Sequence, residues 1–334
     1  MSKALQITED LRPSKNSPKN KFAKLAEEFF NNFQSEHTRK SYKKDVEQFF
    51  EYLKLHHPDV RDFTDVERLQ IVSYRNFLTD SDKAPKTINR KLAAVSSLFD
   101  FLVEKNVVLY NPCQSIKRPR HQVLRPTNDL TDEQIRSLFQ LVDPLKDHQL
   151  LHKAVIYLLF TTGIRKAELI NLKIKDYRVI DGIHTIEVKA KGAKILTKVI
   201  HPNTAQVMDD YLFYLKTEAA KDQEELRGED WFFRPTKNPL EPGHLIKPLN
   251  PKSVDYIVKT WCKKAGIHHR ISPHSARASY IGSALDNGVD LYKISRDVGH
   301  ASVKTTEEYN KRKQRISESP VWGLGFMKKV SSED

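Results

Sequence analysis

The chain has 334 residues and carries 56 Lys and Arg against 43 Asp and Glu, a formal charge of +13. Clustered cations gain from phosphate neutralisation and counterion release, so the excess points to a polyanionic partner, with an acidic membrane surface as the plainer alternative. No apolar run approaches the ~18 residues that span a bilayer, the N-terminus has no apolar signal core, and Cys113 and Cys262 stand far apart without metal-ligand spacing. A soluble, cytoplasmic protein without metal, cofactor or disulfide is expected. The length predicts two domains.

Residues 1–20 are rich in Pro, Ser, Lys and Asn and read as a flexible tail. Phe22, Leu25, Phe29, Phe30 and Phe33 then mark one face of a helix. A second helix is expected from Thr38, burying Tyr42, Val46, Phe49, Phe50 and Leu53. A third covers Thr64 to Leu78, and a fourth runs from Pro85 to Glu104 with Ile88, Leu92, Val95, Leu98, Phe99 and Leu102 inward. These four amphipathic helices predict a compact helical domain over 21–108. Arg39, Lys40, Lys43 and Lys44 open the second helix, and Lys86, Arg90 and Lys91 open the fourth. Helix starts also offer free N–H groups to phosphates, so both are candidate DNA contacts. A solvated face is the alternative. Residues 109–128 hold three prolines and the cations Lys117, Arg118, Arg120 and Arg125, the pattern of a basic linker.

A second domain is expected over 129–316. Thr131 and Gln134 form a capping-box pattern ahead of Ile135, Leu138 and Phe139. His152 to Phe160 reads as a buried helix ending at Thr161-Thr162-Gly163, and a helical period restarts through Arg165 to Leu172. Ile183 to Val188 and Leu196 to Ile200 predict a hairpin whose turn carries Lys189, Lys191 and Lys194. Helices fit 203–217 and 251–265. The expected fold class is mainly α with a small β-hairpin, in two domains that a linker hugging a phosphate backbone would place on opposite faces of a duplex, as a C-shaped DNA clamp.

The stretch Ile271 to Asn310 concentrates the chemistry. His274 and Arg277 are three residues apart and so neighbours on a helix face, where imidazole and guanidinium can hold an anionic oxygen from two directions. Gly299-His300 and then Tyr309, in the polar run TTEEYNKRK, follow closely enough to join that pocket. The pattern suits phosphoryl transfer with a tyrosine nucleophile. Beyond Tyr309 a basic run precedes Val321, Trp322, Leu324 and Phe326, so 317–334 is expected to dock either into a neighbouring subunit or onto its own domain.

Several pieces resemble the tyrosine recombinases, the phage-integrase family. They are TTGIRKAELINL around Arg165, VKAKGAK around Lys191, SPHSAR with His274 and Arg277, and DVGHASVKTTEEY with His300 and Tyr309, in the family's order. HTRKSYKKDVEQFFEYL and KTINRKLAAVSSLFDFL resemble its core-binding domain. The resemblance spans nearly the whole chain apart from the tail, and the compact length looks Xer-like. It implies that Tyr309 attacks a scissile phosphate to give a 3′-phosphotyrosine, Arg165 and Arg277 hold the non-bridging oxygens, and Lys191 protonates the leaving 5′ oxygen. His274 would be the acid/base for the tyrosine, His300 a donor to a phosphate oxygen, and Glu168 an orienting group. Lys189 and Lys194 share the turn with Lys191, which is preferred because it precedes Gly192. The ester conserves bond energy, so strand transfer through a Holliday junction in a tetramer on two duplexes would need neither ATP nor metal. A second recombinase or a regulatory protein is a further possible partner. The sequence departs from the family pattern at Ala190, Ala276, Ala278 and Ser279, none of which supplies a reactive group. Relaxation of one duplex by a type IB topoisomerase, which uses a similar pocket, is the alternative activity, and a DNA-binding protein with a decayed site is the non-enzymatic one.

Overall fold

The computed structural model describes residues 19–120, 128–189, 195–221, 223, 225–236, 247–300 and 302–311, with only the backbone of 19–24 and 308–311. The chain divides into two units, Met1–Leu124 and Arg125–Asp334. It is mostly helical with one small antiparallel sheet.

Unit one holds α1 (Lys19–Asn31), α2 (Glu36–His56), α3 (Arg68–Asp80) and α4 (Pro85–Glu104). The α4 bounds are those read from sequence, since Pro85 presets the first helical φ and the apolar spacing continues for five turns. Ile88, Leu92, Val95 and Phe99 are all buried, each such side chain contributing about 1.5–3 kcal/mol through loss of apolar surface to water. The third helix starts later than its apolar pattern suggests. Asp65 accepts the N–H groups of Arg61 and Asp62, both at 2.9 Å, which closes a separate 3-10 turn at Phe63–Asp65. The helix restarts when Gln70 accepts from the Glu67 N–H. Part of the segment expected as linker, residues 109–120, bonds to this unit. Buried Asn111 donates to the Ser96 carbonyl at 3.0 Å and to Asp100 at 2.6 Å, while Arg75 and Asn89 donate to the carbonyls of Lys117 and Pro119.

Unit two is built around α6 (Leu150–Thr162), which is apolar and buried over most of its length from Ala154 to Phe160, with α5 (Asp132–Val142), α8 (Pro202–Lys221), α9 (Pro251–Lys264) and α10 (Pro273–Asp286) packed on it. Thr131 and Gln134 form the capping box of α5. Gly163 ends α6 with φ of +56°, a left-handed cap that favours glycine. A built Cβ there would also lie 2.7 Å from the Tyr280 ring. The short α7 (Lys166–Ile170) follows. β1 (Tyr177–Ile180), β2 (Ile183–Lys189) and β3 (Ile195–Val199) form a sheet in the order β1-β2-β3, with Ile186 paired to Tyr177 on one side and to Lys198 on the other. Two strands were expected; β1 is the addition. Next come α11 (Leu291–Asp297) and α12 (Val303–Lys311).

Of the positions that depart from the family pattern, Ala190 lies outside the described residues and the other three serve packing or hydrogen bonding. Ala276 and Ala278 are buried in apolar clusters, and the Ser279 hydroxyl accepts the Leu130 N–H at 2.8 Å. Among the described residues no helix is long and apolar enough to cross a membrane.

Candidate functional site

Arg277 lies in the second turn of α10, whose N-terminus is set by the Ser272 cap and by Pro273 at its first position. The side chain is 2% exposed. Burying a guanidinium demands partners for its fixed fork of donors, and two backbone carbonyls supply them. Nη1 donates to the Gly163 carbonyl at 2.7 Å, and Nη2 donates to that of Val298. The left-handed cap of α6 and the end of α11 are thus joined through one side chain.

Arg165 is the N-cap residue of α7. Glu168, one turn on, accepts the Arg165 backbone N–H at 2.9 Å through Oε2 and the guanidinium Nη1 at 2.7 Å through Oε1. Nη2 reaches across the fold to the Gly299 carbonyl at 2.8 Å. The Glu168 side chain is 5% exposed, so its charge depends on Arg165 rather than on water. Glu168 is thus a carboxylate that holds both the main chain and the side chain of Arg165.

The two arginines therefore hang on adjacent carbonyls, Val298 and Gly299, of one corner. Gly299 has φ of +63°, and a Cβ there would sit 3.3 Å from Leu196 and 3.7 Å from Arg165 Nη1. The positive φ is what calls for glycine, and a Cβ would also crowd Leu196, while its contact with the guanidinium would be an ordinary one. The turn delivers His300, whose N–H donates to the Ser295 carbonyl and whose Nδ1 is 2.8 Å from the Thr306 hydroxyl. Thr306 is buried on α12, one turn before Tyr309 in the same helix. Burial, and next the nearby charges of Arg277, Arg165 and His274, push the His300 pKa down to about 4. Arg277, Arg165 and His300 meet at this corner. His274 is exposed in the first turn of α10. The Tyr309 side chain and Lys191 lie outside the described residues, as does the segment from 317 to 334.

One group near the site escaped the sequence reading. Lys198 on β3 is 1% exposed, with Nζ 2.8 Å from Asp297 and Tyr280 donating to the same carboxylate oxygen at 2.9 Å. A single Lys in a strand flanked by other cations carries no signal of its own, and its partner is 99 residues away in sequence. Among the described residues no three His, Cys, Asp or Glu side chains converge as a metal cage.

The candidate DNA contacts of unit one divide. Lys44, Lys86, Arg118 and Arg120 are exposed, as is Lys117, and Lys43 is half-buried. Lys40 pairs with Glu36 at 2.6 Å on the surface, and Arg39 donates to the Phe33 carbonyl at 3.1 Å. Arg90, partly exposed, bonds Ser41 and the buried Asp45. Lys91 corrects the expectation. It is 6% exposed, and its ammonium binds Asp45 at 3.0 Å and also Gln48, so it faces the core and not a duplex. Its position borders the apolar stripe of Ile88 and Leu92, and Asp45 supplies the charge that makes its burial tolerable.

Comparison with known proteins agrees with this arrangement. The phage integrase family matches residues 128–315, and the phage integrase N-terminal SAM-like domain matches 26–106. Tyrosine recombinase XerC of Roseiflexus sp. (strain RS-1) is 28% identical over 285 residues, 84% of this chain and 85% of its own. Tyrosine recombinase XerD of Oceanobacillus iheyensis is 25% identical over 279 residues, 82% of this chain and 87% of its own. In fold, the chain is similar to the XerH site-specific recombinase bound to palindromic difH substrate (TM-score 0.70, 17% identity, 96% of this chain and 94% of that one). It is also similar to a lambda integrase (75–356) dimer bound to a COC′ core site (TM-score 0.63, 14% identity, 93% and 98%). With the buried Arg277 and the half-buried Arg165 fixed around a Gly-His corner and a family match over more than half its length, the chain belongs to the phage integrase family and is a site-specific tyrosine recombinase, an enzyme that cuts and rejoins DNA.

Proposed function

We propose that Tyr309 is the nucleophile and that strand exchange proceeds by two rounds of phosphotyrosine chemistry through a Holliday junction. In-line attack of the phenolate oxygen on the scissile phosphorus forms the Tyr–phosphate ester as the bond to the 5′ oxygen breaks. That oxygen leaves as a 5′-hydroxyl after taking a proton from Lys191. Arg165 and Arg277 face the non-bridging oxygens and offset the charge that grows on them in the transition state. Their carbonyl anchors at Gly163, Val298 and Gly299 hold the donors in place before the substrate arrives, so little reorganisation is needed during reaction. His274 takes the tyrosine proton. His300, with Nδ1 engaged by Thr306, offers Nε2 to a phosphate oxygen. Because His300 is neutral above about pH 4, it acts as a hydrogen-bond donor and adds no third positive charge.

The observation that carries this reading is the convergence of both arginines on the corner Val298-Gly299-His300, which directly precedes the helix that contains Tyr309. Double-stranded DNA with a specific site is the substrate, and a tetramer on two duplexes is the working assembly. Lys44, Lys86, Lys117, Arg118 and Arg120 would neutralise backbone phosphates and set affinity more than sequence choice. Relaxation of a single duplex, the topoisomerase alternative, is not favoured by the family match. Capturing covalent protein–DNA adducts from cells and sequencing the trapped ends tests the reading. Adducts should cluster at one short site and be joined through DNA 3′ ends; scattered adducts, or linkage to 5′ ends, would overturn it.

A further inference from the structure

The Lys198–Asp297 pair is costly for what packing alone requires. An ammonium 1% exposed has lost nearly all its hydration, and a well-packed apolar pair of similar volume commonly fills such a site at least as stably. Its Nζ is held by Asp297 at 2.8 Å, and the Tyr280 hydroxyl donates to the same Oδ2 at 2.9 Å. The three residues sit at informative places. Lys198 is on β3, the strand that follows 190–194, where the proposed proton donor lies in sequence. Asp297 closes α11 and directly precedes Val298 and Gly299, whose carbonyls anchor Arg277 and Arg165. Tyr280 is one turn beyond Arg277 on α10, and its ring closes over Gly163, the other carbonyl anchor of Arg277.

We propose that Lys198, Asp297 and Tyr280 form a positioning unit that ties β3 to the Val298-Gly299-His300 corner, so that strand, corner and both arginines keep one geometry during cleavage. None of the three is assigned contact with DNA. The unit acts through the carbonyls that hold the arginines and through the strand that carries the proton donor's segment. Directed, charge-assisted bonds suit this task better than apolar packing, because an apolar pair fixes separation but not orientation.

The inference rests on the reading that this site cleaves DNA, and its test keeps the two apart. Full-length wild type, K198M, D297L, the double variant K198M/D297L and Y280F are compared for single-turnover adduct formation on a nicked duplex, for duplex affinity, and for thermal midpoint. Absence of any adduct with wild type would count against the cleavage reading itself. If wild type reacts, each charge-pair single variant should lose stability and cleave about 10–100-fold more slowly, the scale of ångström misplacement of a reacting group, with duplex affinity changed less than about twofold. The double variant should regain thermal stability but not rate. Y280F removes one hydroxyl bond and leaves the ring, so it should fold as wild type and cleave about 3–10-fold more slowly. Recovery of rate together with stability in the double variant would overturn the proposal and mark the pair as packing only. If neither charge variant folds, Y280F decides, and an unchanged rate in that variant would overturn it equally.

Discussion

Arg165→Lys keeps the charge at the site and removes the fork, so it separates geometry from electrostatics. In the wild type one guanidinium serves Glu168 at 2.7 Å and the Gly299 carbonyl at 2.8 Å, on opposite sides of the gap between α7 and the corner. A single ammonium cannot hold both and also meet a phosphate oxygen. One charge-assisted bond is lost, worth about 1.5–3 kcal/mol, and with Glu168 5% exposed water replaces little of it. For a unit of about 200 residues that is a fall of roughly 3–12 °C in the thermal midpoint. The rate should fall further than stability, since removing one preorganised donor from a developing oxyanion costs about 10²–10³-fold. The assay is a nicked suicide duplex under single-turnover conditions, with the covalent adduct resolved on a denaturing gel and affinity measured separately by gel shift. Affinity should hold, because the net charge is unchanged. If Arg165→Lys cleaves within about threefold of wild type, the fork is dispensable and the anchoring argument fails.

Three further outcomes follow from particular contacts. Gly299→Ala places a β-carbon in the left-handed region, at about 1–2 kcal/mol, and crowds Leu196 in the corner whose carbonyl anchors Arg165, so cleavage should fall while Gly288→Ala, left-handed but in open space, lowers stability alone; equal cleavage by the two variants would contradict the role of the corner. His300 has its folded pKa depressed to about 4 from an ordinary 6.5, so the unfolded state binds the extra proton in that window. Stability should be full above about pH 6.5 and decline towards pH 4, and His300→Gln should flatten that slope in thermal scans. Asp45→Leu strands the buried Lys91 ammonium and should destabilise unit one by about 3–5 kcal/mol, read by denaturant unfolding, whereas Asp45→Leu combined with Lys91→Met should recover most of that loss without a change in duplex affinity.

The parts of the fold that were legible in the sequence are those where local signals agree. Pro85 and a five-turn apolar stripe define α4, and Thr131 with Gln134 defines the start of α5. β1 was missed because it is four residues long with Val179 and Ile180 exposed, so neither length nor alternation marks it. The start of α3 was misplaced because the carboxylate of Asp65 closes a separate turn before the helix, which apolar spacing does not register. Among site residues, the spacing of His274, Arg277 and His300 drew attention by itself, whereas Arg165 and Glu168 were reached only through the resemblance of TTGIRKAELINL to the family. Lys91 misled because charge composition does not report which way a helix face turns. Lys198 was silent because its role depends on Asp297 and Tyr280, which only the tertiary fold brings to it.

The account stands on the phenol at position 309. Incubating wild type and Tyr309→Phe with a nicked substrate bearing the recombination site, then digesting the adduct and mapping the nucleotide-bearing peptide, addresses it directly. The wild type should yield one peptide carrying a 3′-linked nucleotide at Tyr309, and the Phe variant should bind the duplex with unchanged affinity and form no adduct. An adduct mapped to another side chain, or strand exchange by the Phe variant, would contradict the account.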